Sequence, residues 1–263
     1  MIPRPRVSVI IPTVRFDAWL TIAVQSVLRQ TFEDFEVIVV VDDPHATGSL
    51  PDDPRISSVR MPARSGSAAA INAGVRHARG EFIGRLDADD VAEPTRLAAQ
   101  VTRLDQDPEI VAIGTSATVI DAGGRPIGAI DNPTDADLGN VLQRRNALVH
   151  SSMLIRRTAL DEVGGYDPRC IRMQDYDLWL RLACVGRLTN LPERLTQYRA
   201  HATMHSRATS PFSASARRIC ASRAALARHR GCPAVEQHLR NAFWTALQAA
   251  RHWRLRRPRY LAP

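Results

Sequence analysis

The sequence predicts an α/β fold with an open, mostly parallel central sheet flanked by helices. Residues 7–12 and 35–41 are β-branched runs that are apolar at almost every position, which is typical of strands buried on both faces. Helix-like segments, in which apolar residues recur every three or four positions, alternate with these runs. The resulting order of strand, helix, strand, strand, helix and strand is the pattern of a parallel sheet.

The first part of the chain supplies the elements of this sheet in order. A helix over residues 19–28 follows the first strand, and a weaker strand over residues 56–61 follows the second. A helix of small residues over 68–77 leads to the central strand, residues 82–86, and another helix can begin at Glu93-Pro94. Because ligands of open sheets bind at the carboxyl ends of the strands, the residues that follow each strand are candidate site residues.

An acidic stretch, Asp87-Ala88-Asp89-Asp90, follows the central strand. In an extended chain alternate side chains point the same way, so Asp87 and Asp89 can aim at one point while Ala88 leaves room. Mg²⁺ and Mn²⁺ prefer oxygen ligands and commonly use one or two carboxylates together with the oxygens of a bound diphosphate. The stretch therefore predicts a divalent-cation site, with an ordinary acidic turn as the alternative.

The positive charge of the chain is concentrated in its C-terminal tail. Residues 211–263 contain 11 arginines and one acidic residue, Glu236, whereas the rest of the chain is nearly balanced. Two helices are predicted here, from 210 to about 230 and from 234 to about 257. The second helix either lies on an anionic membrane or packs on the preceding domain through an apolar stripe. The stripe consists of Val235, Leu239, Ala242, Phe243, Ala246, Leu247, Ala250 and Trp253.

The composition predicts a cytoplasmic protein. The sequence contains no apolar run of about 18 residues that could span a membrane, and no signal-peptide pattern at its N-terminus. Contact between the basic tail and the inner face of the membrane stays open as an expectation. Nucleic acid is not an expected partner, because the tail has charge but no recognisable nucleic-acid-binding module.

An ordered set of motifs extends over roughly residues 6–205. The motifs lie at residues 7–12, 26–31, 36–43, 72–74, 80–90, 164–167, 174–182 and 198–201. Together they resemble the motifs of family 2 glycosyltransferases, the large inverting group with the GT-A fold. The resemblance implies a catalytic domain over residues 1–210, with a nucleotide-sugar-binding half (1–95) and an acceptor-side half (96–210). Residues 211–263 are then a basic helical tail.

The resemblance implies a site for a nucleotide diphosphate sugar. Asp89 matches the residue that contacts the metal in the family, and Asp87 matches the residue nearer the ribose or the sugar. Asp42 matches the position that hydrogen-bonds the nucleobase, and Pro12 and Thr13 match the first nucleotide-contacting turn. A cation held there would stabilise the charge that grows on the diphosphate as the glycosidic bond breaks.

Three further residues are assigned to the donor side with alternatives left open. Ala88, inside the acidic motif, is placed beside the donor. Arg64 either approaches the base or a phosphate, or is an ordinary surface arginine. His201 either reaches the metal or the diphosphate, as in some relatives, or is a structural histidine.

The acceptor side needs a base that takes the proton of the attacking hydroxyl. Asp175 matches the catalytic base of the family, and Gln174 stands where the family usually has glutamate. Trp179, on the acceptor side, either forms an apolar wall for the sugar or belongs to the core. Residues 110–114 and 117–120 are predicted as two strands, and residues 150–157 resemble the family strand that leads back under the site.

The predicted function is the inverting, metal-dependent transfer of a sugar from a nucleotide-sugar donor, with Mn²⁺ or Mg²⁺ as cofactor. A UDP-sugar is the favoured donor. The acceptor is a saccharide, a lipid-linked molecule or a small molecule. A sugar-phosphate nucleotidyltransferase is an alternative, but it would need a Gly-rich basic loop after the first strand, and residues 12–15 are not one. A second alternative is a non-catalytic protein that retains the nucleotide site and docks through its basic tail, although binding alone would not need a base such as Asp175.

Overall fold

The computed structural model describes residues 4–134, 138–201, 210 and 212–254, except for the side chains of residues 251, 253 and 254. Its strands are β1 (Val7–Thr13), β2 (Phe35–Val41), β3 (Ile56–Arg60), β4 (Phe82–Arg85), β5 (Val91–Ala92), β6 (Ile110–Ile120), β7 (Pro126–Ile130), β8 (Leu154–Arg156) and β9 (Arg187–Arg199). Its helices are α1 (Ala18–Leu28), α2 (Ser67–His77), α3 (Arg96–Gln106), α4 (Gly139–Leu142), α5 (Arg157–Glu162), α6 (Gln174–Leu182), α7 (Ala214–His229) and α8 (Ala234–Arg254).

One sheet runs through the molecule in the order β3-β2-β1-β4-β8-β6-β9-β5, with β7 paired to β6. Strands β3, β2, β1 and β4 are parallel to one another, as the sequence predicts. Strand β8 is antiparallel to both β4 and β6, so the second half of the sheet is mixed. The carboxyl ends of the four parallel strands therefore lie along one edge, and the acceptor-side strands continue the sheet beside them.

Helices cover both faces of this sheet. Ile10, Ile38 and Val40 point to a core shared with α2, α6 and α7. Their neighbours Val9 and Val39 point to the opposite core, which is shared with α1 and α3. Alternate residues of the same strand thus enter two different cores, which explains why the strands are apolar throughout.

Two predicted strand boundaries are wrong. Strand β6 does not break between residues 114 and 117, because Thr115 and Ser116 are buried within it and the register with β9 shifts there. The strand predicted over residues 150–157 is confined to β8, because His150–Ser152 form a 3₁₀ turn. The Ser152 hydroxyl donates to the carbonyl oxygen of Val149 at 2.8 Å, so a side chain stabilises the turn.

The tail helices pack in sequence on the acceptor-side half, α7 on α6 and α8 on α7. The fully buried carboxylate of Asp177 on α6 joins the first pair. Asp177 accepts hydrogen bonds from Arg181 Nε at 2.8 Å and from Ser222 Oγ at 2.6 Å, and Arg218 Nε of α7 lies 3.4 Å away. A polar cluster therefore fixes α7 against the helix that begins with Asp175.

The apolar stripe of helix α8 is largely exposed to solvent. Trp244 and Gln237 are buried against the rest of the protein, whereas Val235, Leu239 and Phe243 are exposed. The alternative in which the stripe packs on the preceding domain is therefore wrong for these residues, because the opposite side of α8 makes the contact. The side chain of Trp253 lies outside the described part. None of the described helices combines the length and apolarity that a membrane span requires.

Replacing Asp177 with alanine should lower the free energy of unfolding by about 1–3 kcal/mol, because the buried Ser222 hydroxyl and the Arg181 guanidinium lose their acceptor. Urea unfolding of the full chain measures this difference. The matched variant Asp161→Ala removes an exposed pair with Arg157 at 3.6 Å and should cost less than about 1 kcal/mol. Equal losses in the two variants would contradict a structural role for the buried cluster.

Candidate active site

The ends of β1 and β2 form the first wall of the site. The backbone N–H of Asp42 donates to the carbonyl oxygen of Thr13 at 2.7 Å. The two carboxylate oxygens of Asp42 accept the N–H groups of Ser65 and Gly66, both at 2.8 Å. Asp42 is thereby held at the start of α2, and each of its oxygens keeps a second lone pair for a ligand.

The other residues predicted for the nucleotide lie at this same edge. Pro12 is half-buried and Thr13 is buried, and the Thr13 hydroxyl donates to the carbonyl oxygen of Arg15 at 2.6 Å. Arg64 is exposed and immediately precedes the Ser65-Gly66 segment that binds Asp42. The structure therefore brings these four residues to one place.

Asp87 begins the acidic stretch at the end of β4. Its carboxylate pairs with the guanidinium of Arg85, a residue that is only 2% exposed. Its backbone N–H donates to Ser151 Oγ at 2.8 Å. Ala88 is half-buried behind it and packs against the core. Asp87 is thus fixed both at its backbone and at its side chain.

Asp89 and His201 form a contact pair, with Nε2 of the imidazole 2.7 Å from Oδ2 of the carboxylate. The His201 ring packs against Trp19 with its centroid 4.8 Å away. Burial and the negative charge of Asp87 raise the pKa of Asp89, and the hydrogen bond from His201 opposes them. Two residues 112 positions apart therefore meet where the cation was predicted.

Asp90 is buried beneath this pair and accepts the backbone N–H of Arg199 at 2.7 Å. Burial, followed by the charges of Asp89 and Asp87, raises the pKa of Asp90 well above its usual range. The side chain of Arg199 turns back to donate from Nε to the carbonyl oxygen of Asp89 at 2.7 Å. Strand β9 therefore binds the acidic stretch through both the backbone N–H and the side-chain guanidinium of Arg199.

A second buried arginine, Arg96, supports the stretch from α3. It is fully buried and donates from Nη1 to the carbonyl oxygen of Ser151 at 2.8 Å. Burial lowers its pKa to about 10, an effect that the nearby carboxylate of Asp90 opposes. The sequence analysis assigned no role to Arg85, Arg96 or Arg199. An arginine set among apolar residues, as Arg85 is between Gly84 and Leu86, is the signal that could have found them.

Asp175 lies in the first turn of α6. Asn146 Nδ2 donates to its Oδ2 at 2.8 Å. Burial raises the pKa of Asp175, and the negative charge of Asp87 adds to this shift. The charge of Asp87 therefore acts on the Asp175 carboxylate, so the predicted donor and acceptor residues lie within electrostatic range of each other.

The start of α6 has an unusual backbone. Met173 has φ of 57°, and it is the only non-glycine residue with positive φ in the described part of the chain. This conformation costs about 1–3 kcal/mol and persists only where the surroundings impose it. It allows α6 to begin at Gln174, which is half-buried beside Asp175.

Trp179 belongs to the core. Its side chain is fully buried, so the alternative of an exposed apolar wall for the acceptor is wrong in this structure. The ring instead lies 5.9 Å from the ring of His150, and Nε2 of His150 lies 2.8 Å from the hydroxyl of Tyr166. Burial and the charge of Arg85 lower the pKa of His150 to about 3.

No group of three or more His, Cys, Asp or Glu side chains in the described residues is arranged to enclose a metal. The Asp89–His201 pair beside Asp87 nevertheless fits a hard cation that completes its shell with water and phosphate oxygens. The negative charges of Asp87 and Asp89 lie close enough together to raise the pKa of Asp89, and a bound cation would balance them.

Comparisons with known proteins identify the family to which the chain belongs. The family model described as Glycosyl transferase family 2 matches residues 8–164. The O-antigen biosynthesis glycosyltransferase WbnJ of Escherichia coli is 29% identical over 210 residues, which cover 74% of this chain and 80% of WbnJ. An uncharacterized glycosyltransferase of Nostoc sp. is 33% identical over 227 residues, which cover 79% of this chain and 69% of that protein.

Solved structures resemble this one over most of its length. S. aureus TarS in complex with UDP-GlcNAc aligns with a TM-score of 0.69 at 17% identity, covering 91% of this chain and 71% of TarS. This likeness confirms the predicted GT-A fold. The nucleotidyltransferase and docking-protein alternatives are set aside, because the relatives are glycosyltransferases and the family model covers more than half of the chain. The chain is a glycosyltransferase and belongs to glycosyl transferase family 2.

Proposed function

We propose that this glycosyltransferase moves a sugar from a UDP-linked donor to an acceptor hydroxyl with inversion at the anomeric carbon. The observation that carries the proposal is the position of Asp175, which is half-buried, held by Asn146 and within electrostatic reach of Asp87. A base on the acceptor side and a donor site at the acidic stretch are the two parts that a single displacement needs.

Asp175 acts as the general base. Its raised pKa makes it a stronger base than an ordinary aspartate. The hydrogen bond from Asn146 fixes one carboxylate oxygen, which leaves the other to receive the proton of the acceptor hydroxyl. Gln174 at the start of the same helix can orient the acceptor through its amide but cannot take a proton.

The donor is held by the strand ends. Asp42 with Pro12 and Thr13 binds the nucleoside, and Asp87, clamped by Arg85, orients hydroxyl groups of the ribose or the sugar. Ala88 leaves room beside Asp87, and the exposed Arg64 approaches the base or a phosphate.

Asp89 and His201 would hold Mn²⁺ or Mg²⁺. When bound, such an ion would neutralise the charge that develops on the diphosphate leaving group.

The choice of UDP as the nucleotide of the donor rests on the similarity of this chain to other glycosyltransferases. The solved TarS structures contain UDP-GlcNAc in one case and UDP in another, and WbnJ is named for O-antigen biosynthesis. A saccharide, a lipid-linked molecule and a small molecule all remain open as acceptors. The proposal retains the predicted cytoplasmic location, and a lipid-linked acceptor would place the reaction at the inner face of the membrane.

The first test is release of UDP from a panel of UDP-sugars, with Mn²⁺ or Mg²⁺ and without added acceptor. One donor should be hydrolysed slowly by the wild type, and Asp89→Ala should abolish the metal-dependent release by removing a ligand of the ion. Asp175→Asn should lower transfer to an acceptor by about 10²–10⁴-fold while leaving donor binding nearly unchanged. The exposed Asp161→Asn should behave as wild type. Failure of every donor to bind in a metal-dependent way would contradict the donor site.

The pH dependence of transfer tests the base. Only ionised Asp175 can accept a proton, so the rate should fall as the pH drops through its raised pKa, which lies above the usual value for aspartate. Asn146→Ala removes a hydrogen bond that stabilises the ionised form, so the acid limb of the profile should move to higher pH. Asn140→Ala, an exposed change on α4, should leave the limb in place. An acid limb that stays fixed in Asn146→Ala would argue against Asp175 as the base.

A further inference from the structure

The outer side of α8 carries a continuous apolar surface. Val235, Leu239, Phe243 and Leu247 follow one another at four-residue spacing and are 74%, 67%, 68% and 39% exposed. Side chains at this spacing lie on one side of a helix, and the exposed residues Ala242, Ala246 and Ala250 fill the same arc. We name these seven residues the α8 apolar face. Single exposed apolar residues are ordinary, but a contiguous face marks an interaction site.

The opposite side of α8 is anchored, so the helix cannot turn this face inward. Trp244 and Gln237 are buried there. Asn241 Nδ2 donates to the carbonyl oxygen of Cys220 on α7 at 3.1 Å, and Arg240 hydrogen-bonds the side chain of Gln143. Rotation of α8 would break these contacts and expose Trp244 to water.

The charge of the tail indicates which kind of partner binds the α8 apolar face. Residues 211–263 contain 11 arginines and one acidic residue, Glu236, which already pairs with Arg240 at 2.5 Å. On α7, Arg217 and Arg228 are exposed, and the sequence places further arginines at positions 251, 254, 256, 257 and 259. A second copy of this chain that docked through its own tail would bring the same positive charge and only one carboxylate, Glu236, to match it.

We infer that the α8 apolar face docks onto an anionic lipid surface. The large apolar side chains would enter the boundary between headgroups and acyl chains, and exposed arginines of the tail, such as Arg217 and Arg228, would meet lipid phosphates. Nucleic acid would satisfy the arginines but would leave the apolar face in water. An anionic bilayer is the partner that matches both properties at once.

The docked helix would also be connected to the catalytic side of the molecule. Arg223 of α7 donates from Nε to the carbonyl oxygen of Gln143 at 2.8 Å, and Arg240 of α8 bonds the side chain of the same residue. Three residues further on, Asn146 holds Asp175. This connection rests on the proposed function, and it would hold the acceptor site at a fixed position near the lipid surface, where a lipid-linked acceptor is found.

Vesicle flotation of the full chain tests the docking surface. Wild type should float with vesicles of phosphatidylglycerol and phosphatidylcholine, and should bind vesicles of phosphatidylcholine alone at least about tenfold more weakly. Leu239→Gln/Phe243→Gln should weaken binding to the anionic vesicles by about tenfold or more, because it removes two large apolar groups from the face. Both residues are exposed and glutamine is a good helix former, so the fold should persist.

The matched control is Ile22→Gln/Ile127→Gln, which changes two exposed apolar residues that lie on α1 and β7. It should bind vesicles as wild type does. Equal binding by wild type and Leu239→Gln/Phe243→Gln would overturn the inference, as would equal binding to neutral and anionic vesicles. A wild-type dimer in light scattering that the same double variant dissociates would assign the face to a second copy instead.

Release of UDP in solution separates this inference from the proposed function. The Leu239→Gln/Phe243→Gln variant should release UDP at the wild-type rate without vesicles, because the α8 apolar face lies outside the donor site. Intact UDP release together with no vesicle binding by wild type would overturn the docking surface alone. Vesicle binding without UDP release from any donor would leave the docking surface standing and overturn the donor assignment.

Discussion

Three carboxylates crowd together at the end of β4, and buried arginines balance them. Arg85 pairs with Asp87, Arg96 lies near Asp90, and Arg199 binds the stretch from β9. The Arg85 guanidinium pairs directly with a carboxylate, whereas those of Arg96 and Arg199 donate to backbone carbonyl oxygens, so removal of any one arginine would leave a polar group without its partner. Because these arginines come from β4, α3 and β9, the charge balance ties the parallel half of the sheet to the mixed half.

The parallel half of the fold could be predicted because its strands are buried on both faces. Such strands contain little besides β-branched and apolar residues, and β1 and β2 are of this kind. Strand β9 was harder to predict, because it contains Pro192, Glu193 and Arg194 in its middle and pairs irregularly with β6. Its position depends on contacts with distant residues, which local patterns do not contain. The turn at His150–Ser152 was missed for a related reason, since hydrogen bonds from serine decide it.

The site was predictable where a motif carries its chemistry. Asp89 and His201 are in contact although they are far apart in sequence, and the charge of Asp87 acts on Asp175, whereas the roles that the resemblance implies for these residues stay predictions. The supporting residues were not predictable in the same way. Arg96 and Arg199 act through backbone carbonyl oxygens and buried charge, and neither has a spacing that indicates its partner. Trp179 lies within a functional motif, yet its side chain is buried in the core, so membership of a motif did not predict its place in the structure.

The central claim is that the ends of β1, β2 and β4 form one donor site that faces Asp175. A crystal structure of the chain with UDP and Mn²⁺ tests this most directly. The account predicts uracil beside Asp42, the ion on Asp89 with the diphosphate next to it, and open space between the diphosphate and Asp175 for sugar and acceptor. A nucleotide bound away from Asp42, or an ion that does not contact Asp89, would contradict it.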